Sequence, residues 1–157
     1  MMAITVWQPW ATLIALGAKP FEFRGWPAPA RLVGQRVAIH AGARPVKRSE
    51  VQELLLKLRG PQALETGLLP AKAIGMLERV ATSPGSLPLS SVLCTAILGA
   101  PIRDGELALR MGVPSIADSD RAEHSNWGRP LIDIHVLEPF VPARGAQGWW
   151  QWNEGAP

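Results

Sequence analysis

Between Trp7 and Trp26 the chain runs Trp-Gln-Pro-Trp-Ala-Thr-Leu-Ile-Ala-Leu-Gly-Ala-Lys-Pro-Phe-Glu-Phe-Arg-Gly-Trp, and this stretch has to close a helix and open a strand with little chain in between. Pro9 suits a first helical position, where no backbone donor is lost. Trp10, Leu13 and Ile14 then recur at i, i+3 and i+4, which gives residues 9–16 one apolar face. Gly17 can take the left-handed conformation that ends a helix. With residues 21–24 as a strand, Phe21 and Phe23 share one face, turned to the core, and Glu22 and Arg24 the other. Lys19 stands at the mouth of that strand. A cation, an anion and a second cation are thus gathered between tryptophans.

The rest of the chain punctuates itself unevenly. Residues 3–6 predict a short strand feeding the helix, and residues 25–35, with Gly25, Pro27, Pro29 and Gly34, predict a loop. Arg36 to Ala41 alternates, Val37 and Ile39 on one face and Ala38 and His40 on the other, as a half-buried strand does. Ser49 to Gln52 predicts a capping box in which Ser49 and Gln52 satisfy each other's free backbone donors. Val51, Leu54, Leu55 and Leu58 follow at helical spacing, a stripe for core packing, and Gly60-Pro61 ends the run. Residues 62–90 leave two assignments open: helical turns over Leu64–Leu69 and Lys72–Val80, or a strand from Ile74 to Val80. Val92 to Leu98 reads as a buried strand. Residues 104–128 are polar and irregular, a long excursion of the kind that carries function in a small domain. Leu131 to Leu137 alternates again, with Ile132, Ile134 and Val136 opposite Asp133 and His135, and a tryptophan-rich strand, 149–152, comes last. With no repeat and no linker, the chain reads as one α+β domain over residues 1–157.

Composition narrows the class. At 157 residues and 47% apolar the chain can bury a packed core, so disorder is excluded. No apolar run is long enough to span a bilayer and the early helix lacks a signal peptide's pattern, so no membrane partner and a cytoplasmic location are expected. The lone Cys94 excludes an internal disulfide, and its apolar surroundings read as core. Charge is uneven: residues 1–48 carry seven Lys or Arg against one acid, Glu22, while the remainder carries nine bases against twelve acids. A basic first third draws a polyanion to one side of a molecule. The same charges also read as a solvated surface.

Gly-x-Lys-x-x-Glu-x-Arg after a Trp-Gln-Pro-Trp helix resembles the ASCH domain. The likeness continues in Val37-Ala38-Ile39-His40-Ala41, similar to a family strand ending in Ile-His-Ala. It returns in the run from Pro142 to Trp152, which resembles the family's Gly-x-Gln-Gly-x-Trp-x-Trp ending. The resemblance implies a PUA-like β-barrel with short helices packed outside it, an association with RNA metabolism, and a central cleft lined by Lys19, Glu22 and Arg24. One branch of the family is similar to an amidohydrolase acting on modified cytidine, with a threonine three residues after its lysine. Here Glu22 holds that position, so the hydroxyl is missing.

The candidate site follows from these readings. Lys19 is either a helix-end cation or a contact to phosphate or a base edge. Glu22 and Arg24 are either an exposed ion pair or, in a drier cleft, an acceptor for an amino group and a guanidinium for phosphate. Trp26 is the first stacking candidate among seven tryptophans, with Trp150 and Trp127 behind it. His40, Arg44, Arg144 and Trp150 complete the expected ligand surface, and Arg36, Lys47 and Arg48 would track a nucleic-acid backbone. The expected partner is single-stranded RNA, or a nucleotide or modified nucleoside. The alternative is a small hydrolase, ribonuclease or amidohydrolase, in which Lys19 and Glu22 are catalytic. A protein-interaction domain is the third reading. No cofactor is expected, because no Gly-rich phosphate loop precedes a helix, and no metal, because His40, His124, His135 and Cys94 lack ligand spacing.

Overall fold

A computed structural model of the chain describes residues 1–119 and 121–154. Strand β1 (Met2–Val6) leads into helix α1 (Trp10–Ala15), which ends as a Schellman turn. Gly17 sits at φ +70°, its N–H donates to Ile14 O at 2.9 Å, and Ala18 N–H donates to Leu13 O at 2.9 Å. Pro9 lies just before the helix, after a cis peptide bond from Gln8, and not at the first helical position. Gln8 does the capping: its Oε1 accepts from Thr12 N–H at 3.1 Å.

The chain continues through β2 (Phe21–Arg24), β3 (Arg36–Ala41), α2 (Arg48–Arg59), α3 (Pro70–Thr82), β4 (Ser91–Leu98), β5 (Ile102–Arg103), α4 (Asp104–Met111), β6 (Trp127–Pro142) and β7 (Trp149–Gln151). The strands form one sheet in the order β2-β6-β4-β3-β1-β7, with β5 also on β6. Among the described residues β1 and β3 alone pair in parallel, and the other pairings are antiparallel. The sheet curls into a half-barrel with the four helices around it. Pairing of β7 with β1 joins the two ends of the chain, and with them most of the tryptophans.

Apolar packing explains the layers. Ile4, Val37, Ile39, Leu93, Cys94 and Leu98 meet Ala11 and Ile14 of α1 in the main core. Burial there pushes the Cys94 thiol up to about 12. The helix pair α2 and α3 forms a second core, where Val51, Leu54, Leu55 and Leu58 face Ala73, Met76, Leu77 and Val80. Residues 62–90, open between helix and strand in the sequence, thus hold a 13-residue helix with Pro70 in its first turn. The stripe at 73, 76, 77 and 80 is helical, and Pro70 starts it where no donor is lost.

Four sequence expectations are corrected. The capping box over residues 49–52 does not form: α2 begins earlier, and Glu50 accepts from Lys47 N–H at 2.8 Å. Strand β3 is buried on both faces, because Ala38 joins Ala3, Val92 and Trp152 in a further cluster behind the sheet. The excursion at 104–128 contains α4, whose Leu107 and Ala108 pack on Phe23. Along β6 the apolar alternation turns outward, leaving Ile132 55% and Val136 45% exposed. Asp133 takes φ +52° and shifts the register between Thr95 and Ile97, so that inward-facing positions change parity.

Leu77 is fully buried and Leu56 is exposed on neighbouring helices. Leu77→Ala is expected to cost about 2–5 kcal/mol in a urea titration, whereas Leu56→Ala should stay within about 0.5 kcal/mol.

Candidate functional site

The Schellman turn decides where Lys19 goes. Leu13 O accepts from both Ala18 and Lys19 N–H, which folds the chain back under α1 and carries the lysine side chain inward. Lys19 is 0% exposed. Its Nζ donates to Phe21 O at 2.7 Å and to Asp118 Oδ2 at 2.7 Å, and lies 3.5 Å from Glu22 Oε2. The Trp10 and Phe23 rings flank it, with centroids 5.3 and 5.0 Å away. Asp118 is supplied by the segment after α4, which is tied down by Ala117 N–H donating to Glu65 O at 2.9 Å. Its other oxygen accepts from Ser125 Oγ at 3.2 Å. The lysine is therefore neither a helix-end surface cation nor in direct contact with solvent.

Glu22 and Arg24 extend this network toward the surface. Glu22 Oε1 accepts from Arg24 Nε at 3.0 Å, and Arg24 Nη2 also donates to Thr5 O at 2.9 Å. Glu22 is nearly buried and Arg24 half-buried, so the pair is not the freely exposed one that strand alternation allowed. Directly opposite Glu22 in the β2–β6 ladder stands Arg129, also 0% exposed. Its Nη2 donates to Trp26 O at 2.8 Å, and the Trp26 and Trp149 rings lie 5.9 and 5.7 Å from its guanidinium carbon. Burial first, then the nearby Arg24 charge, lower its pKa to about 10 against the pull of Glu22, so it remains a cation at neutral pH.

A cleft of about 960 Å³ opens beside this network. Its walls include Thr5, Trp7, Arg24, Trp26, His40, Arg144 and residues 145–148. Trp7 and Trp26 are 59% and 56% exposed, unusual for indoles of this size. His40 donates from Nε2 to Ala143 O at 2.9 Å, and Trp150 meets its ring edge-on at 5.4 Å. Thr5 Oγ1 donates to Ala146 O at 2.9 Å and accepts from Trp150 Nε1 at 3.1 Å. Residues 143–148 are thereby fastened across the mouth. Gly145 is required there, since a Cβ would sit 2.4 Å from His40 Cε1. A second cleft of about 620 Å³ shares Trp7, Arg24 and Trp26 and adds Glu22 and Asp118.

Of the residues singled out from the sequence, Arg24, Trp26, His40 and Arg144 line the first cleft, and Trp150 stands behind it through Thr5 and His40. Glu22 lines the second. Arg44 lies to one side, 4.8 Å over the Trp7 ring and paired with Glu50 at 2.5 Å. Lys19 is beneath, and Arg36 is committed to Asp133 on β6. Trp127, the remaining stacking candidate, packs 4.1 Å from the Arg103 guanidinium carbon. Sequence reasoning missed Trp7, Thr5, Asp118 and Arg129 as parts of the site. Trp7 was signalled by its place at the head of the motif; Asp118 and Arg129 carried no local pattern. Among the described residues no cluster of His, Cys, Asp or Glu is placed to hold a metal ion, and no helix is long and apolar enough to cross a membrane.

Two outcomes follow. Asp118→Asn strips Lys19 of its closest counter-charge and should destabilise the fold by about 3–5 kcal/mol in urea. Burial lowers the His40 pKa from 6.5, so the unfolded chain takes up its proton first. The neutral imidazole's contribution is complete above the unfolded value and declines as pH falls through it toward the folded value. Urea midpoints from pH 7.5 down to pH 5 should fall for the wild type, and His40→Gln should lack that component. Comparison with family models and with curated proteins finds no match for this chain.

Proposed function

We propose that this chain is a nucleic-acid-binding domain of the ASCH type, PUA-like in fold, which takes single-stranded RNA, or a nucleotide or modified nucleoside, in the cleft between Trp7 and Trp26. One observation carries the reading: two indoles more than half exposed flank a cleft that also presents Arg24 and Arg144. Exposed indoles offer π-faces on which any base can stack, and guanidinium groups suit phosphate and base edges. The half-barrel accords with the resemblance, as does the placement of its second and third blocks, on β3 and β7, either side of β1, the strand that leads into the first block. Lys19 acts at one remove in this reading, by holding Glu22 and Asp118 in place.

Binding should be measured on native gels with end-labelled single-stranded RNA. Trp26→Ala is expected to weaken binding by about 1–3 kcal/mol. Arg144→Ala, which leaves one phosphate without its cation, should lower the salt dependence of log K by about 0.7. Intact binding by both variants would overturn the reading.

A hydrolase is the second reading, and one observation favours it. Glu22 Oε2 accepts no hydrogen bond although it is buried beside Lys19, and its residue lines the second cleft with Asp118. That oxygen, 3.5 Å from Lys19 Nζ, keeps its lone pairs without a hydrogen-bond donor, and a water admitted from the second cleft would meet them. Denaturing gels of the same incubations separate the two: shortened RNA that disappears with Glu22→Gln supports hydrolysis, and full-length RNA rules out cleavage.

A further inference from the structure

Arg129 is a buried cation set between two indole rings, with most of its hydrogen-bond donors unused. Solvent does not reach it, since it is 0% exposed, and among the described residues its one hydrogen bond runs from Nη2 to Trp26 O at 2.8 Å. Nε and Nη1 find no acceptor among those residues. Nor does any described carboxylate form an ion pair with it: Glu22, opposite in the ladder, gives Oε1 to Arg24. Proteins rarely leave a buried guanidinium so uncompensated, because an ion taken from water needs a counter-ion and its donors need acceptors. The surrounding charges point the same way. Lys19, Arg24 and Arg129 face Glu22 and Asp118, leaving one positive charge in excess. Glu123, at the rim of the second cleft, is exposed.

The missing partner has a definable chemistry and an entry route. A full negative charge would offset the excess, and an oxyanion would accept from the unused donors of a guanidinium fork. The Trp26 ring lies 5.9 Å from the guanidinium carbon on one side and forms the wall of both clefts on the other. Trp26 is also the residue whose carbonyl holds Arg129. Swinging the indole aside opens the guanidinium to the cleft with Nε and Nη1 already unpaired, while Nη2 keeps its bond to the main-chain carbonyl.

We propose that Arg129 anchors an oxyanion subsite that takes a phosphate group of the ligand, with Trp26 as its movable cover. This rests on the nucleotide-binding reading above, and it adds that the phosphate binds inward, beside Arg24, with the base stacked in the outer cleft on Trp7 and the displaced Trp26 ring.

The test uses wild-type, Arg129→Met and Arg129→Lys proteins. Thermal unfolding is followed with inorganic phosphate and with sodium chloride at matched ionic strength, and calorimetry compares the four ribonucleosides with their 5′-monophosphates. Phosphate should raise the wild-type melting temperature where chloride does not. A monophosphate should bind about ten- to a hundred-fold tighter than its nucleoside, as charged hydrogen bonds allow. Arg129→Met should abolish both effects, the second read as the ratio of monophosphate to nucleoside affinity within the variant, and without phosphate it should melt no lower than the wild type, since it removes an uncompensated buried charge. Arg129→Lys, which keeps charge but not the fork, should lose most of the monophosphate preference and serves as the readout if the Met variant fails to fold. A preference retained in the Lys or Met variant overturns the subsite and makes Arg129 a prop for the Trp26 loop. Nucleosides that bind without gain from phosphate overturn the subsite alone. A phosphate response dependent on Arg129, with no nucleoside or nucleotide bound, keeps the subsite and overturns the nucleotide reading. No response to any of these overturns both.

Discussion

The site depends on a charge inside the protein. Lys19 is carried beneath α1 by the turn at Gly17, where Asp118, Glu22, a backbone carbonyl and two aromatic rings surround its Nζ. That requirement reaches across the sequence. It brings the segment after α4 back to the start of the chain and orients Glu22, which in turn holds Arg24 against Thr5. Broken pairs in a dry site leave uncompensated charge, so the network behaves as a unit and the cleft wall inherits its rigidity.

Around this rigid wall the cleft is assembled from parts with different freedom. Residues 143–148 are fastened by His40 and Thr5, with Trp150 completing the relay. Trp7 and Trp26, in contrast, present most of their indole surface to solvent. On the proposed reading, a charged floor with exposed aromatic rims suits a planar ligand, because stacking tolerates any base while charge would place its polar edge or phosphate.

Much of the local structure was legible. The helix and stop around Gly17, the strands at β1, β2, β3 and β4, and the apolar stripe of α2 all follow from spacing and backbone preference. The misreadings have physical causes. Glu50 reaches a backbone donor two residues earlier than the Ser49 pattern implies, and Arg44 pairs with it there. The polar sequence of α4 hides a helix stabilised by only a short buried face, Leu107 and Ala108 against Phe23. On β6 a single left-handed residue, Asp133, held by Arg36, reverses the faces that strict alternation assigns.

What the sequence determined by itself is therefore the set of short-range elements and the identity of the charged motif, since both depend on residues within a turn or two of one another. Only tertiary structure decided what the charges do. Burial and partners for Lys19 come from Asp118, ninety-nine positions away, and those for Arg129 from Trp26 and Trp149, at opposite ends of the chain. Whether a cation is a surface contact, an internal strut or a site waiting for an anion depends on desolvation and on partners brought together by the curl of the sheet, and spacing along a chain carries neither.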